Sequence, residues 1–130
     1  YKKISNAINT PLATGENHFT HHDMKFFIDN KIVSNLQPDL MRGGYTELRL
    51  IADMANKNKI KIAPHLFMEL NTHLNASIPN SAWLEYMGWY NHLWEIPIIP
   101  KNGNIVPSNK PGHGLKFKSE LIKDYPYKKM

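Results

Sequence analysis

The chain has 130 residues, of which 42% are hydrophobic, and it carries a net charge of +5 and no cysteine. This length and hydrophobic content suffice for one buried core, while the lack of cysteine excludes a disulfide scaffold, a thiolate metal site and a cysteine nucleophile within these 130 residues. Because no apolar run approaches about 18 residues and no secretory leader pattern is present, we expect a cytoplasmic protein with no membrane partner.

The positive charge of the chain does not predict a nucleic-acid partner. Most of the excess comes from lysines scattered among Asn and Ile, whereas a nucleic-acid surface clusters Lys and Arg on one face with interleaved aromatics. In the densest basic stretch, Glu120 and Asp124 interrupt the lysines, which are Lys116, Lys118, Lys123, Lys128 and Lys129. We therefore expect no nucleic acid among the partners.

The first predicted elements are a strand, a helix and a second strand. An apolar run that ends at residues 14–16 predicts a strand, and Thr20 followed three residues later by Asp23 predicts a capping box. The helix that this box opens is marked by the apolar residues Met24, Phe26, Phe27 and Ile28. Residues 32–36 predict the second strand, which ends before Pro38 because proline cannot donate to a sheet ladder.

The next elements repeat this order. The two glycines at 43–44 predict a turn, and Thr46 is the predicted N-cap of a helix. The buried face of that helix is marked by the 3, 4, 7 spacing of Leu48, Ile51, Ala52 and Ala55. A third strand, a helix and a fourth strand are then predicted at residues 60–63, 66–78 and 81–85. Repeated strand–helix–strand crossovers favour a parallel sheet or barrel over a sandwich.

The last part of the chain has a different pattern. An aromatic patch predicts an interface with the tail or with another subunit; it comprises Tyr86, Trp89, Tyr90 and Trp94. The tail, residues 96–130, is rich in Pro and Gly and has only short β-prone runs. We therefore divide the chain into a strand–helix part, residues 1–95, and a tail that needs a further part of the protein to pack against.

An acid or base follows each of four short apolar runs: Glu16, Asp39, His65 and Glu85. In a parallel α/β barrel the loops after the strands build the active site at one mouth, so we expect these side chains on one wall of a catalytic bowl. Taken singly, Glu16 reads as a turn carboxylate, Asp39 as a turn or N-cap residue and His65 as a structural histidine. A complete barrel needs roughly 250 residues, so we expect this chain to be the C-terminal part of a longer protein.

Four segments, in this order and spacing, resemble the mandelate racemase/muconate lactonizing enzyme group of the enolase superfamily: PLATGEN, LQPDLMRGGYTE, APHLFMELNTHLNASIP and WLEYM. The resemblance runs from about Pro11 to Gly114 and is nearest to members that dehydrate acid sugars or racemise 2-hydroxy acids. It implies an α/β fold in which this chain is the C-terminal half of a modified TIM barrel, (β/α)7β. It also implies that the tail packs on a capping domain that lies outside this chain.

The same resemblance implies a role for each acid and base. It makes Glu16 one of three carboxylate ligands of Mg²⁺, His65 the general base that removes the proton α to a carboxylate, and Asp39 its dyad partner. It makes Glu85 the acid that hydrogen-bonds the substrate carboxylate as an enediolate develops. The implied Mg²⁺ stabilises that charge, and its two other ligands, with a Lys-bearing motif, are expected upstream of this sequence.

The implied activity is that of a Mg²⁺-dependent hydro-lyase, an acid-sugar dehydratase, which acts on a small carboxylate substrate and is a homo-oligomer when full length. The 130-residue chain by itself is expected to be inactive. One alternative is a racemase or epimerase of a 2-hydroxy acid, in which the upstream Lys returns the proton on the opposite face. Another is a truncated, non-catalytic chain that lacks two metal ligands.

Further polar residues admit other readings. The spacing of His65, Glu69 and His73 at i, i+4 and i+8 loosely resembles a Zn²⁺ site, but it is not the HExxH pattern and His65 is expected before the helix. Two short segments follow the proposed metal ligand and the dyad aspartate, where barrel loops can touch substrate. They contain His18 with Phe19, and Met41 with Arg42.

Overall fold

Strands and crossover helices alternate along the chain and build a parallel sheet. The computed structural model describes residues 1–125. The sheet has the order β1-β2-β3, and its strands are β1 (Ala13–Thr14), β2 (Asn35–Leu36) and β3 (Lys61–Ile62). Both strand pairs are parallel, and a parallel bridge from Ile62 to Ser81 marks the place of a fourth strand. The predicted parallel α/β architecture is confirmed.

The helices lie between and after these strands. They are α1 (Lys2–Ala7), α2 (His21–Asp29), α3 (Leu40–Lys57), α4 (Met68–Ser77), a 3-10 helix (Gly88–Leu93) and α5 (Ser119–Asp124). The predicted capping box opens α2, because the Thr20 side chain accepts the Asp23 N–H and the Asp23 carboxylate accepts the Thr20 N–H. Over residues 1–125, each helix is too short or too polar to span a lipid bilayer.

Helix α3 begins earlier than predicted. Asp39 is its N-cap, and the Asp39 Oδ1 accepts the N–H of Met41 at 2.7 Å. The prediction of Thr46 as the N-cap was therefore wrong. The turn predicted at the two glycines is present as a kink, because Gly44 has the non-helical φ 71 and ψ 172, a conformation that glycine adopts at little cost; α3 is thus two helical segments joined at Gly44. This early start brings the end of β2 and the start of α3 together at one aspartate.

Other boundaries also differ from the prediction. The fourth strand, predicted over residues 81–85, is reduced to a single bridge at Ser81, and residues 82–85 are not part of a strand. Helix α4 starts at Met68 rather than Leu66, because Leu66 and Phe67 have left-handed φ values of 46 and 40. Helix α1 was not predicted; it buries no residue, so it leaves no amphipathic pattern in the sequence.

The core lies between the sheet and the three crossover helices. It includes Met24, Ile28, Leu36, Leu48, Ile51, Ile62 and Leu74, each at most 1% exposed. The predicted face of α3 is confirmed, since its leucine, isoleucine and two alanines are all buried. Burial of each large aliphatic side chain contributes roughly 1.5–3 kcal/mol. The packed core therefore fixes the positions of the strand ends from which the loops begin.

The tail makes few regular contacts within the described residues. Trp94 and Phe117 form an antiparallel bridge, and their rings stack with centroids 4.5 Å apart. This contact joins the aromatic patch to the tail, whereas Trp89 in the same patch is 58% exposed. Residues 126–130, which include Lys128 and Lys129 of the basic stretch and the end of the predicted tail, lie outside the described residues.

Candidate active site

Three of the predicted site residues meet where the strands end. The pairing of β2 and β3 continues past the strands as a parallel bridge between Asp39 and His65. The His65 N–H donates to the carbonyl of Pro38 at 3.1 Å, which fixes the backbone of His65 beside that of Asp39. Glu16 comes two residues after the end of β1. Parallel strands bring their carboxyl ends to one edge, so the three side chains share one mouth.

The imidazole of His65 is held by the carboxylate of Asp39. His65 Nδ1 lies 2.9 Å from Asp39 Oδ2, and the Asp39 side chain is only 7% exposed. The other carboxylate oxygen accepts the Met41 N–H at the start of α3. An ionised carboxylate only accepts hydrogen bonds, so this contact requires the proton on Nδ1, and in the neutral imidazole the lone pair is then on Nε2. The pair therefore has the geometry of an oriented base.

The free nitrogen of His65 faces Glu16. His65 Nε2 lies 3.9 Å from Glu16 Oε2, and half of the Glu16 side chain is exposed. The preceding Gly15 is buried with φ +142, and a methyl group added to it would lie 3.0 Å from the Gln37 nitrogen. Only glycine fits this approach of two backbones. The close packing at Gly15 thus sets the position from which Glu16 reaches the mouth.

Glu85 joins the site through the backbone next to His65. Its Oε2 accepts the N–H of Leu66 at 2.8 Å. Glu85 is half-buried, in the irregular stretch that follows the bridge at Ser81. The structure therefore brings all four predicted residues together, three through side-chain contacts and Glu85 through the residue after His65.

The members of the rival Zn²⁺ arrangement have separate partners. His65 precedes α4 and bonds Asp39, whereas the buried Glu69 accepts the indole N–H of Trp94 at 3.3 Å. The Nε2 of His73 lies 3.2 Å from the carbonyl of His113. Among residues 1–125 no three His, Asp or Glu side chains form a complete metal-binding group.

Glu16 fits one position in an Mg²⁺ site. Its carboxylate is a hard oxygen donor, the ligand type that Mg²⁺ prefers, and its half-exposed position leaves it open to an ion at the mouth. Both Asp39 oxygens are already hydrogen-bonded. Of the two carboxylates that face the His65 ring, Glu16 is therefore the one available to an ion.

The two segments predicted near the substrate contact each other. The Arg42 guanidinium carbon lies 5.2 Å from the centre of the Phe19 ring, a cation–π distance. His18 packs edge-on against Phe27. Phe19 and Met41 are 54% and 61% exposed, so they remain open to a further contact. A substrate contact for these residues stays a prediction.

Two supporting residues were missed in the sequence. Asn71 is fully buried in α4, and its amide donates to the carbonyls of His65 and Leu66. Its signal was a polar residue among the apolar positions of a predicted helix. Glu47 in α3 accepts both the backbone N–H and the Nδ1–H of His21, each at 2.8 Å, which ties the start of α2 to α3.

Comparison with known families identifies this arrangement. The family described as enolase C-terminal domain-like matches residues 1–121. The chain belongs to this family. The match confirms the predicted membership of the mandelate racemase/muconate lactonizing enzyme group and the fold of a C-terminal half-barrel.

Several curated proteins that are similar to this chain are named as acid-sugar dehydratases. L-talarate/galactarate dehydratase of Salmonella typhimurium is 34% identical over 90% of this chain and 29% of the relative. D-xylonate dehydratase of Haloferax volcanii is 32% identical over 93% of this chain and 32% of the relative. The chain thus spans about a third of the length of the curated relatives that it matches.

Solved structures also match nearly all of this chain and about a third of their own length. The crystal structure of L-talarate dehydratase from a Polaromonas species, complexed with Mg and L-glucarate, superposes with a TM-score of 0.84 and 30% sequence identity. The match covers 94% of this chain and 34% of that one. The relatives named here are dehydratases of acid sugars.

Proposed function

We propose that this chain supplies one wall of the active site of a Mg²⁺-dependent acid-sugar dehydratase, a hydro-lyase that removes the proton α to a carboxylate. The observation that carries the proposal is the position of His65 between two carboxylates, with Nδ1 on the buried Asp39 and Nε2 toward the exposed Glu16. Two relatives that are 34% and 32% identical to this chain are named as dehydratases of acid sugars, and these names support an acid sugar as the substrate class.

In this proposal His65 is the general base. In the neutral imidazole its Nε2 has the lone pair, and this nitrogen faces Glu16 at the mouth, where a substrate α-carbon would lie. Asp39 keeps the imidazole in the tautomer that can accept a proton at Nε2, and it stabilises the imidazolium that results. Protonated His65 then has a proton to return to the departing β-hydroxyl, if that group leaves from the same face.

Glu85 is proposed to bind the substrate carboxylate. One of its oxygens accepts the Leu66 N–H, which fixes the plane of the carboxyl group. A protonated Glu85 would have an O–H to donate to the substrate carboxylate as negative charge develops there. Because Leu66 directly follows His65 in the chain, this hydrogen bond places the Glu85 carboxyl group close to the backbone of His65. The turn at residues 65–67 therefore positions both the proposed base and the proposed acid.

Glu16 is proposed to hold Mg²⁺ together with ligands from outside this chain. Bound Mg²⁺ supplies charge stabilisation at the substrate carboxylate, which makes the α-proton removable by an imidazole. The chain's own contribution is to present one carboxylate at a fixed place beside His65.

The organisation of the whole protein is also proposed. Residues 1–95 would belong to the barrel, and residues 96–130 would form the tail that packs on a capping domain. The exposed aromatic residue Trp89 and the extensive exposed tail support further contacts of this kind, including those of a homo-oligomer.

The substrate class is tested by a panel of aldonates and aldarates incubated with the full-length protein and Mg²⁺. We expect at least one acid sugar to lose one water and yield a 2-keto-3-deoxy acid. Inversion at the α-carbon without loss of water would replace the dehydratase with a racemase or epimerase. Proton exchange with none of the acid sugars or simple 2-hydroxy acids would refute the proposal.

A further inference from the structure

The turn directly after His65 has an unusual backbone. Leu66 and Phe67 have consecutive φ values of 46 and 40, in the left-handed region that bulky L-residues seldom adopt. Such a conformation persists only where surrounding contacts determine it, and it is found most often at functional sites. The contacts that hold this turn therefore bear on the geometry of the site.

One buried side chain covers both carbonyls of the turn. Asn71 is 0% exposed, and its Nδ2 donates to the His65 carbonyl at 3.2 Å and to the Leu66 carbonyl at 2.7 Å. A primary amide has two N–H groups, so both donors are used on this turn. The Leu66 N–H shares a planar peptide unit with the His65 carbonyl, so Asn71, by holding that carbonyl, also directs this N–H to Glu85 Oε2 at 2.8 Å.

We propose that Asn71 is a positioning residue that holds His65 and Glu85 in register through the left-handed turn between them. The proposal rests on the proposed function, in which His65 is the base and Glu85 binds the substrate carboxylate. Without the Asn71 amide the two carbonyls would have no side-chain donor, and the turn would relax toward ordinary φ values. His65 would then shift relative to Asp39, and Glu85 would lose its fixed N–H partner.

The chain offers a matched control in Asn80. This residue is also buried, at 3% exposed, and its Nδ2 also donates to two carbonyls, those of Ala52 and Ile60, at 3.0 Å each. In both asparagines the Oδ1 is buried with no hydrogen-bond partner among the described residues. Asn80, however, contacts the start of β3, while His65 follows its end. Each asparagine therefore donates to two backbone carbonyls from a buried position, but Asn71 does so after the end of β3 and Asn80 before its start.

The test compares Asn71→Leu with Asn80→Leu in the full-length protein. We expect both variants to lower the thermal midpoint. Only Asn71→Leu should lower kcat per folded molecule, by about tenfold to a hundredfold, since a displacement near 1 Å at a reacting group costs about that much. KM should change less than kcat. Equal kcat for the two variants would overturn the proposal.

A second readout does not depend on turnover. The Nδ1–H proton of His65, assigned in NMR spectra by its loss in His65→Asn, reports the bond to Asp39. We expect Asn71→Leu to shift or broaden this signal and Asn80→Leu to leave it in place; an unchanged signal in Asn71→Leu would overturn the proposal. If wild-type protein turns over none of the acids tested, the proposed function fails, and the NMR signal still decides the role of Asn71.

The variant Asn71→Ser keeps one short donor and serves where Asn71→Leu does not fold. A fall in kcat that is smaller than tenfold, together with a shifted His65 signal, would support the proposal. An unchanged kcat with an unchanged signal would overturn it.

Discussion

Substitution of Asp39 by Asn separates its two contacts. Asp39 Oδ1 caps α3 at the Met41 N–H, while Oδ2 accepts the proton of His65 Nδ1. Asn is as good an N-cap as Asp, so the amide oxygen retains the cap and its NH₂ group takes the place of Oδ2. The imidazole then faces a donor instead of an acceptor. It must accept at Nδ1 and carry its proton on Nε2, which leaves no lone pair at the mouth.

The expected magnitudes follow from these contacts. With the cap retained, Asp39→Asn should change the free energy of unfolding by less than about 0.5 kcal/mol, whereas Asp39→Ala loses the cap and should cost about 1 kcal/mol. The exchange of the substrate α-proton should fall by about 10⁴-fold in Asp39→Asn, the loss seen when a triad carboxylate is replaced so that its histidine takes the wrong tautomer.

The assay is α-proton exchange in D₂O with the full-length protein and Mg²⁺, followed by NMR, together with urea denaturation of each variant. Nitrogen chemical shifts of the His65 ring report the tautomer directly. If Asp39→Asn exchanges the α-proton at a rate near that of the wild type, Asp39 does not orient the base. If Asp39→Asn is as unstable as Asp39→Ala, its cap has been misassigned.

Three further predictions concern Gly15, Glu16 and Glu47. Gly15→Ala should destabilise the protein by roughly 1–3 kcal/mol in urea denaturation, since the new methyl meets the Gln37 nitrogen at 3.0 Å and φ is +142; an unchanged midpoint would contradict the packing argument. Glu16→Gln should weaken Mg²⁺ binding in calorimetry while the NMR signal of the His65 ring stays in place, and unaltered Mg²⁺ affinity would remove Glu16 from the metal site. The backbone and side-chain N–H groups of His21 lower the pKa of Glu47 from its ordinary 4.5, so ionised Glu47 stabilises the fold above that pH. The difference in unfolding free energy between wild type and Glu47→Gln should therefore shrink as the pH falls below 4.5. A difference that grows as the pH falls would contradict this argument.

Local signals in the sequence predicted those elements that local contacts determine. The capping box at Thr20 and Asp23 involves residues three apart, and the apolar spacing on α3 reports one helix face. Both needed no knowledge of the rest of the fold. The parallel order of the strands followed from their alternation with helices, because a parallel connection requires a crossover.

The candidate site was predictable because strand ends gather at one edge. That rule, together with the resemblance of the segments around them, was enough to expect Glu16, Asp39, His65 and Glu85 in one place. Their individual contacts were not predictable from spacing. The bond of Glu85 to a backbone N–H depends on the turn after His65, which no local pattern predicts.

The parts that were missed depend on tertiary contacts. Asp39 begins α3 because its carboxylate lies between the helix start and His65, whereas the sequence around Thr46 offered an equally good local cap. The left-handed turn at Leu66 is hydrogen-bonded by the amide of Asn71 and the carboxylate of Glu85, which are distant from it in sequence or lie on the next helix. The predicted fourth strand was reduced to one bridge because strand formation depends on neighbouring strands more than on composition.

The identity of the base is tested most directly by one exchange experiment. The full-length protein, with Mg²⁺ and an acid sugar that it dehydrates, is compared with His65→Asn in D₂O, and deuterium at the substrate α-carbon is measured by NMR. The proposed mechanism predicts that His65→Asn abolishes both α-proton exchange and loss of water, while Mg²⁺ affinity stays within about twofold of the wild type because Glu16 is untouched. Continued α-proton exchange in His65→Asn would contradict it.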